Sequence, residues 1–178
     1  MASAAEIVRF WRDAGPKLWF VKDETFDGRC RAFEAEHHAA ARRELAHWEN
    51  DAEGALALLI LLDQIPRNIF RNSPHAFATD PLAQAIALRA LDRQFDAATD
   101  TSMRQFFYLP LEHAEDLDLQ ARCVRLFESL GDANFTRYAI LHRDIIERFG
   151  RFPHRNALLG RISTPEELRF LAEGGFAG

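Results

Sequence analysis

The 178-residue sequence is poor in cysteine, in net positive charge and in long apolar runs. Its two cysteines, Cys30 and Cys123, have no metal or redox spacing, which predicts reduced packing residues in a reducing compartment. The formal net charge of −5 argues against nucleic acid or anionic membranes as partners. The longest apolar run, Ala55 to Leu62, is far shorter than the roughly 20 residues of a transmembrane helix. The first residues do not resemble a signal peptide, so we expect a cytoplasmic protein.

The motifs of several common enzyme classes are also missing. The sequence has no Gly-rich phosphate loop, no G-x-S-x-G and no H-E-x-x-H. Glu34 with His37, and Glu44 with His47, have the Glu-x-x-His spacing of di-iron helices. On one predicted helix, however, the two pairs would lie about 15 Å apart. We therefore interpret them as solvated charge pairs, place His37 at the surface, and assign neither a cofactor nor a metal.

Helix punctuation dominates the remaining pattern. Ser3 with Glu6, and Thr164 with Glu167, form capping boxes, and no segment alternates as a strand would. We predict an all-α protein, a single domain over residues 1–178 with about eight helices joined by short loops. The predicted helices include about Arg29 to Trp48, Asn50 to Gln64 before Pro66, and Leu111 to Leu130.

Two helices carry polar side chains on their apolar faces. In the predicted Leu111–Leu130 helix, His113 and Gln120 share a face with three apolar residues, Leu117, Val124 and Phe127. In the next helix, His142 shares a face with Tyr138, Ile145 and Phe149. Because buried polar groups need partners, these side chains form either a satisfied core network or part of a site.

Asp63 and Gln64 are predicted at the C-terminus of the central apolar helix. The negative end of the helix dipole disfavours a carboxylate there, so Asp63 needs a cation. The available cations are Arg67, Arg71, Arg151 and Arg155. The pair is then either a structural salt bridge or a carboxylate held for binding or proton transfer.

The segment FGRFPHRN, Phe149 to Asn156, collects polar groups around a proline. Pro153 favours an extended Phe152, which leaves four side chains to point elsewhere: Arg151, His154, Arg155 and Asn156. Arginine forks match carboxylate and phosphate, so one hypothesis is an anion site. The other is a structural loop in which Arg155 pairs with Asp63 and Asn156 caps a turn.

Three long blocks of the sequence closely resemble the uncharacterised bacterial family catalogued as domain of unknown function 924. They are GALALLILLDQIPRNIFR, FFYLPLEHAEDLDLQ and HRDIIERFGRFPHRNALLGRISTPEELRFL. The resemblance implies a tetratricopeptide-like α/α superhelix and brings no established activity. It implies that the family pattern repeats these positions: Asp63, Gln64, Pro66, Arg67, Asn68, Arg71, His113, Glu115, Gln120, His142, Arg151, Pro153, His154, Arg155 and Asn156.

The leading hypothesis is a polar pocket that binds a small anionic ligand, with or without catalysis. The candidate catalytic residues are Asp63, His113 and His142. The candidate ligand-binding residues are Gln64, Arg67, Asn68, Arg71, Gln120, Arg151, His154, Arg155 and Asn156. Two alternatives stay open: a scaffold that binds a peptide or protein partner, and a homodimer whose motifs are structural. Nothing in the spacing demands a metal held by His113 and His142 with Asp63 or Glu115.

Overall fold

A computed structural model describes residues 1–176 of the chain. Every regular element in this range is helical and none is a strand, which confirms the all-α prediction. The chain divides into two compact units, residues 1–110 and residues 111 onward. A single domain over the whole chain and a tetratricopeptide-like superhelix both stay predictions. No helix within residues 1–176 is long and apolar enough to cross a membrane.

The first unit is built from short helices. Its α-helices are α1 (Ala4–Ala14), α2 (Pro16–Trp19), α3 (Glu24–Cys30), α4 (Glu34–Ala41), α5 (Ala52–Leu59), α6 (Ile65–Ile69), α7 (Asp80–Asp92) and α8 (Thr101–Arg104). Short 3₁₀-helices cover Arg31–Phe33, Ala46–Asn50, Pro74–Phe77 and Gln105–Phe107, and a π-helical turn covers Ile60–Gln64.

The remaining helices follow the point where the chain divides. Helix α9 (Leu109–Glu112) spans that point, and the second unit then has α10 (Leu117–Leu130), α11 (Ala133–Phe149), a 3₁₀-helix (Pro153–Arg155) and α12 (Pro165–Ala172). Both predicted capping boxes form, at the starts of α1 and α12. Gly131 and Gly150 end α10 and α11 in the left-handed conformation, as their sequence positions predict.

The predicted long helix from about Arg29 to Trp48 is wrong, because the chain turns after α4. Arg43 has a φ of 65°, in the left-handed region. The amide of Arg43 bonds to the carbonyl of Ala40, and the amide of Glu44 bonds to that of Ala39. This is the Schellman pattern that glycine usually supplies. No stop signal is visible in the sequence here, because an arginine occupies the position that glycine usually takes.

The central apolar helix starts at an Asp51 cap and does not stop at Pro66. The side chain of Asp51, rather than the predicted Asn50, accepts the amide hydrogen of Gly54. Helix α5 runs through the π-turn into α6 without a break, and Ile65 bonds to the carbonyl of Ile60, five residues back. Pro66 therefore lies inside a continuous helical segment, where its missing N–H leaves carbonyl oxygens to be satisfied in another way.

In the second unit α10 packs along α11, and the core includes Ile145, Ile146 and Phe152. The predicted helix from Leu111 to Leu130 is wrong, because it is interrupted before Asp116, which caps α10. His113 therefore lies in the intervening turn and not on the α10 face. Leu117 is 50% exposed and Tyr138 is 42% exposed, so neither marks a buried face as predicted.

Candidate functional site

Asp63 lies within the π-turn, so the prediction that it ends a helix is wrong. Its side chain is 1% exposed and has a cation, because Nη1 of Arg67 lies 3.3 Å from Oδ1. Gln64 donates a 2.6 Å hydrogen bond to Oδ2. Arg67 also donates two 3.0 Å bonds to the Asp80 carboxylate. Arg67 is thus a cationic partner of Asp63, and it joins the π-turn to the start of α7.

The carbonyl oxygens around Pro66 are satisfied by side chains instead of amides. Three bonds do this: His37 to the carbonyl of Leu61 (2.8 Å), Thr79 to that of Leu62 (2.6 Å) and Arg67 to that of Asp63 (2.5 Å). The surface prediction for His37 is wrong, since the residue is 4% exposed and its pKa is lowered by burial. These bonds replace the donors that a π-turn and a proline remove.

Asn68 and Arg71 both bind Asp27, a residue that sequence reasoning missed. Asn68 donates to Oδ1 (2.8 Å), and Arg71 donates to both carboxylate oxygens (2.5 and 3.0 Å). Burial would raise the pKa of Asp27, but these hydrogen bonds outweigh it and hold the pKa below its usual value. The five predicted site residues of this unit therefore make contacts that support the π-turn and α6, which favours the structural interpretation.

The FGRFPHRN segment is fixed at its start by Glu115. After Gly150 the chain is extended at Phe152, as the following proline predicts. The Phe152 amide donates to Glu115 (2.8 Å), and Arg161 donates two bonds to the same carboxylate (2.6 and 2.9 Å). Burial alone would raise the pKa of Glu115. Its bonds to Arg161 and Phe152 have the larger effect, so its pKa lies below the usual value.

Arg151 and Asn156 attach the same segment to α12. Arg151 donates two bonds to the buried Glu167 carboxylate (2.6 and 2.9 Å). Mainly through Arg151, the pKa of Glu167 falls to about 2. Asn156 donates to Ser163 (3.0 Å) and accepts from Arg161 (2.9 Å). These contacts favour a structural role for Arg151 and Asn156.

His142 is buried in the second unit, with 6% of its surface exposed. Its Nδ1 lies 2.8 Å from the Tyr138 carbonyl oxygen and 3.4 Å from a Glu112 carboxylate oxygen. A carbonyl only accepts, so Nδ1 carries the proton and Nε2 of the neutral ring is an acceptor. The His142 pKa is lowered to about 3, chiefly by burial and also by the neighbouring His113, Arg155 and His154.

The ring of Phe152 lies among these groups. Its centroid is 5.6 Å from that of His142 and 5.7 Å from that of His154. The guanidinium carbon of the buried Arg155 lies 4.5 Å from the Phe152 centroid. The His113 ring lies 6.4 Å from the His142 ring.

Gln120 lies beside the turn that carries His113. It is fully buried, and its Nε2 donates to the carbonyls of Glu112 (2.6 Å) and Ala114 (2.8 Å). Its Oε1 is buried and has no hydrogen-bond partner in the structure. We call the following set the histidine cluster: His113, Gln120, His142, His154 and Arg155.

Other kinds of site find less support. Among residues 1–176 no group of three or more His, Cys, Asp or Glu side chains could hold a metal ion. Both thiols are buried, and burial raises the pKa of Cys30 to about 12 and that of Cys123 well above its usual value. A groove of about 440 Å³ at the α10–α11 turn and a cavity of about 60 Å³ beside Glu49 are not lined by the predicted site residues.

These features describe an all-α protein in which several polar residues lie near the buried His142. The chain belongs to the family described as bacterial protein of unknown function (DUF924), which matches residues 7–175 and confirms the resemblance. A solved structure of a protein of unknown function from Agrobacterium tumefaciens is 52% identical, with a TM-score of 0.93 over 96% of this chain and 97% of that chain. No curated protein matches the chain significantly.

Sequence reasoning missed the partners more often than the site residues themselves. Asp27, Asp80 and Glu112 carried no signal, because their partners are distant in sequence or lie across a turn. Arg161 was overlooked although it lies near a predicted cap. The prediction that all twelve candidate residues line one pocket stays a prediction.

Proposed function

We propose that the histidine cluster binds a small anionic ligand. The observation that carries this proposal is the arrangement of His113, His154 and Arg155 around a buried, neutral His142. After burial, which is the largest cause, these three groups also lower the pKa of His142, so the potential at its ring disfavours a further proton. The same potential favours an anion, and a guanidinium supplies a fork that fits carboxylate or phosphate oxygens.

Binding is the better-supported role for His142, compared with proton transfer. A general base works best when its pKa lies near the working pH, whereas that of His142 is about 3. At pH 7 its Nε2 is therefore a weak base and a hydrogen-bond acceptor. Asp63, the other strong candidate base, is engaged by Arg67 and Gln64.

A titration with inorganic phosphate, acetate and lactate tests the proposal. Calorimetry should detect saturable binding of at least one anion, and thermal unfolding should shift upward with its concentration. At 100 times the dissociation constant, the expected stabilisation is about 2.7 kcal/mol. Arg155→Met should weaken binding, whereas Arg89→Met, which removes an exposed arginine that pairs with Glu49, should not. Binding that is undiminished in Arg155→Met, or that weakens equally in Arg89→Met, would contradict the proposal.

The alternative function is a scaffold for a protein or peptide partner. The observation in its favour is the open groove at the α10–α11 turn, which is lined by Gly131, Thr136 and Ile140 among others. Tyr138 and Leu141 are exposed on the same helix, α11. Pull-down with wild type and Ile140→Asp tests this function. Light scattering after size exclusion tests the homodimer.

A further inference from the structure

Glu36 of α4 has a buried carboxylate that is only half satisfied. The residue is 5% exposed, and its Oε1 accepts a 2.6 Å hydrogen bond from the backbone amide of Ala2. Its Oε2 is buried and has no hydrogen-bond partner among residues 1–176. Protonation would not resolve this, because a hydroxyl at Oε2 would lack an acceptor just as the oxygen lacks a donor. Buried carboxylates are normally paired with a cation or bound by several donors, so Glu36 needs more than one amide hydrogen.

The Ala2 nitrogen is well placed to supply the missing hydrogens. The two oxygens of Glu36 share one carbon atom, so a nitrogen that is bound to Oε1 also lies near Oε2. An amide nitrogen has a single hydrogen, which Oε1 already accepts. An ammonium nitrogen at the same place has three hydrogens and a positive charge, and its hydrogen bonds to a carboxylate are stronger than those of an amide.

We infer that the peptide bond between Met1 and Ala2 is a processing site, and that Glu36 binds the α-ammonium group that hydrolysis leaves on Ala2. Water supplies a hydroxyl to the carbonyl carbon of Met1 and a hydrogen to the Ala2 nitrogen. That nitrogen then takes up a further proton at pH 7, because an α-amino group has a pKa of about 8. Met1, with any residue that precedes it, is released with a new carboxyl group. The enzyme required is a peptidase that cuts before a small residue.

The surroundings of this bond fit both parts of the inference. Met1 is 85% exposed, and the bond precedes Ser3, which caps α1, so its hydrolysis breaks no hydrogen bond of the helix. Glu6 does not replace Glu36 as the partner, since its Oε2 already accepts hydrogen bonds from the amide and the hydroxyl of Ser3. The ammonium group would thus join the start of α1 to α4. This contact lies within the first unit and is independent of the histidine cluster.

Intact-mass spectrometry tests the cleavage. The protein is expressed in bacteria from a coding sequence that starts at Met1, and the purified chain should begin at Ala2. A chain that retains Met1 would overturn the processing site.

Thermal unfolding of two preparations, one that begins at Met1 and one that begins at Ala2, tests the binding of the ammonium group. At pH 7 the Ala2 form should unfold at a temperature at least about 2 °C above that of the Met1 form. Glu36→Gln should abolish this difference, because it removes the negative charge. Glu34→Gln is the matched control on the same helix, since Glu34 is 42% exposed in its side chain, and it should leave the difference intact. Equal unfolding temperatures of the two wild-type forms would overturn the inference.

A second measurement needs no substitution and holds even where Glu36→Gln does not fold. Acylation of an amine requires its uncharged form, so an ammonium group bound to Glu36 should react slowly. In the native Ala2 form, the terminal amine should react at least about tenfold more slowly at pH 7 than it does in urea. In the Met1 form, whose first residue is exposed, the native and urea rates should be similar. Similar rates in the Ala2 form would contradict the binding to Glu36.

Discussion

His142 should make the stability of the protein depend on pH in a way that one substitution removes. Its pKa falls from 6.5 in a model peptide to about 3 in the fold, chiefly because the ring is buried. A histidine of this kind takes up a proton on unfolding. The stability that depends on the neutral His142 ring is therefore fully present above pH 6.5 and is lost as the pH falls toward 3.

The magnitude follows from the size of the shift. A pKa shift of this size corresponds to about 5 kcal/mol of unfolding free energy between pH 7 and pH 3. About 2 kcal/mol of this is lost between pH 7 and pH 5. The side chain is nearly inaccessible to solvent, so little screening reduces this figure. His142→Asn keeps a nitrogen donor near the Tyr138 carbonyl but cannot titrate.

Urea unfolding of wild type and His142→Asn at pH 7, 6 and 5 measures the difference. The variant is less stable at pH 7 but should lose about 2 kcal/mol less than wild type between pH 7 and pH 5. NMR titration of wild type should show that His142 stays neutral throughout this range. Parallel loss of stability in both proteins, or a titration of His142 near pH 6, would refute the reasoning.

Three further predictions concern the stability of the fold and the burial of its cysteines. Gly54→Ala should destabilise the protein by at least about 2 kcal/mol, since a Cβ would collide with the Trp48 carbonyl. Gly28→Ala, at a helix position with open space around it, should stabilise the protein by about 0.5–1 kcal/mol. Thermal unfolding measures both changes. Arg67→Met should lower the free energy of unfolding in urea by about 3–5 kcal/mol, because it removes the guanidinium that two buried carboxylates bind. Arg12→Met, in an exposed pair, should lower it by only about 0–1 kcal/mol. Both cysteines should react with a thiol reagent only on unfolding, and a fast-reacting native thiol would contradict their burial.

The sequence predicted best where local chemistry decides the conformation. Both capping boxes, the glycine stops at Gly131 and Gly150, and the extended Phe152 all depend on neighbouring residues, and all are present. Prediction from the sequence failed where the chain adopts an uncommon backbone conformation. The Schellman turn at Arg43 has no glycine, and the π-turn carries the helix past Pro66.

The polar sites show a similar division. Periodicity placed His142 correctly in a buried position, because α11 is one regular helix. The same reasoning misplaced His113. It assumed that the apolar face of α10 continues back to His113, but a turn that the apolar pattern does not reveal lies between them. The partners of Arg67, Arg71 and Arg151 could not be predicted, since Asp80, Asp27 and Glu167 are brought near only by tertiary packing.

The most direct test of the central claim is an NMR titration of the histidine side chains with inorganic phosphate at pH 7. If the histidine cluster binds the anion, the ring nitrogens of His113, His142 and His154 should shift together, with one saturating dissociation constant that calorimetry reproduces. Shifts confined to histidines of the first unit, or no saturable shift in any of the three, would contradict the claim.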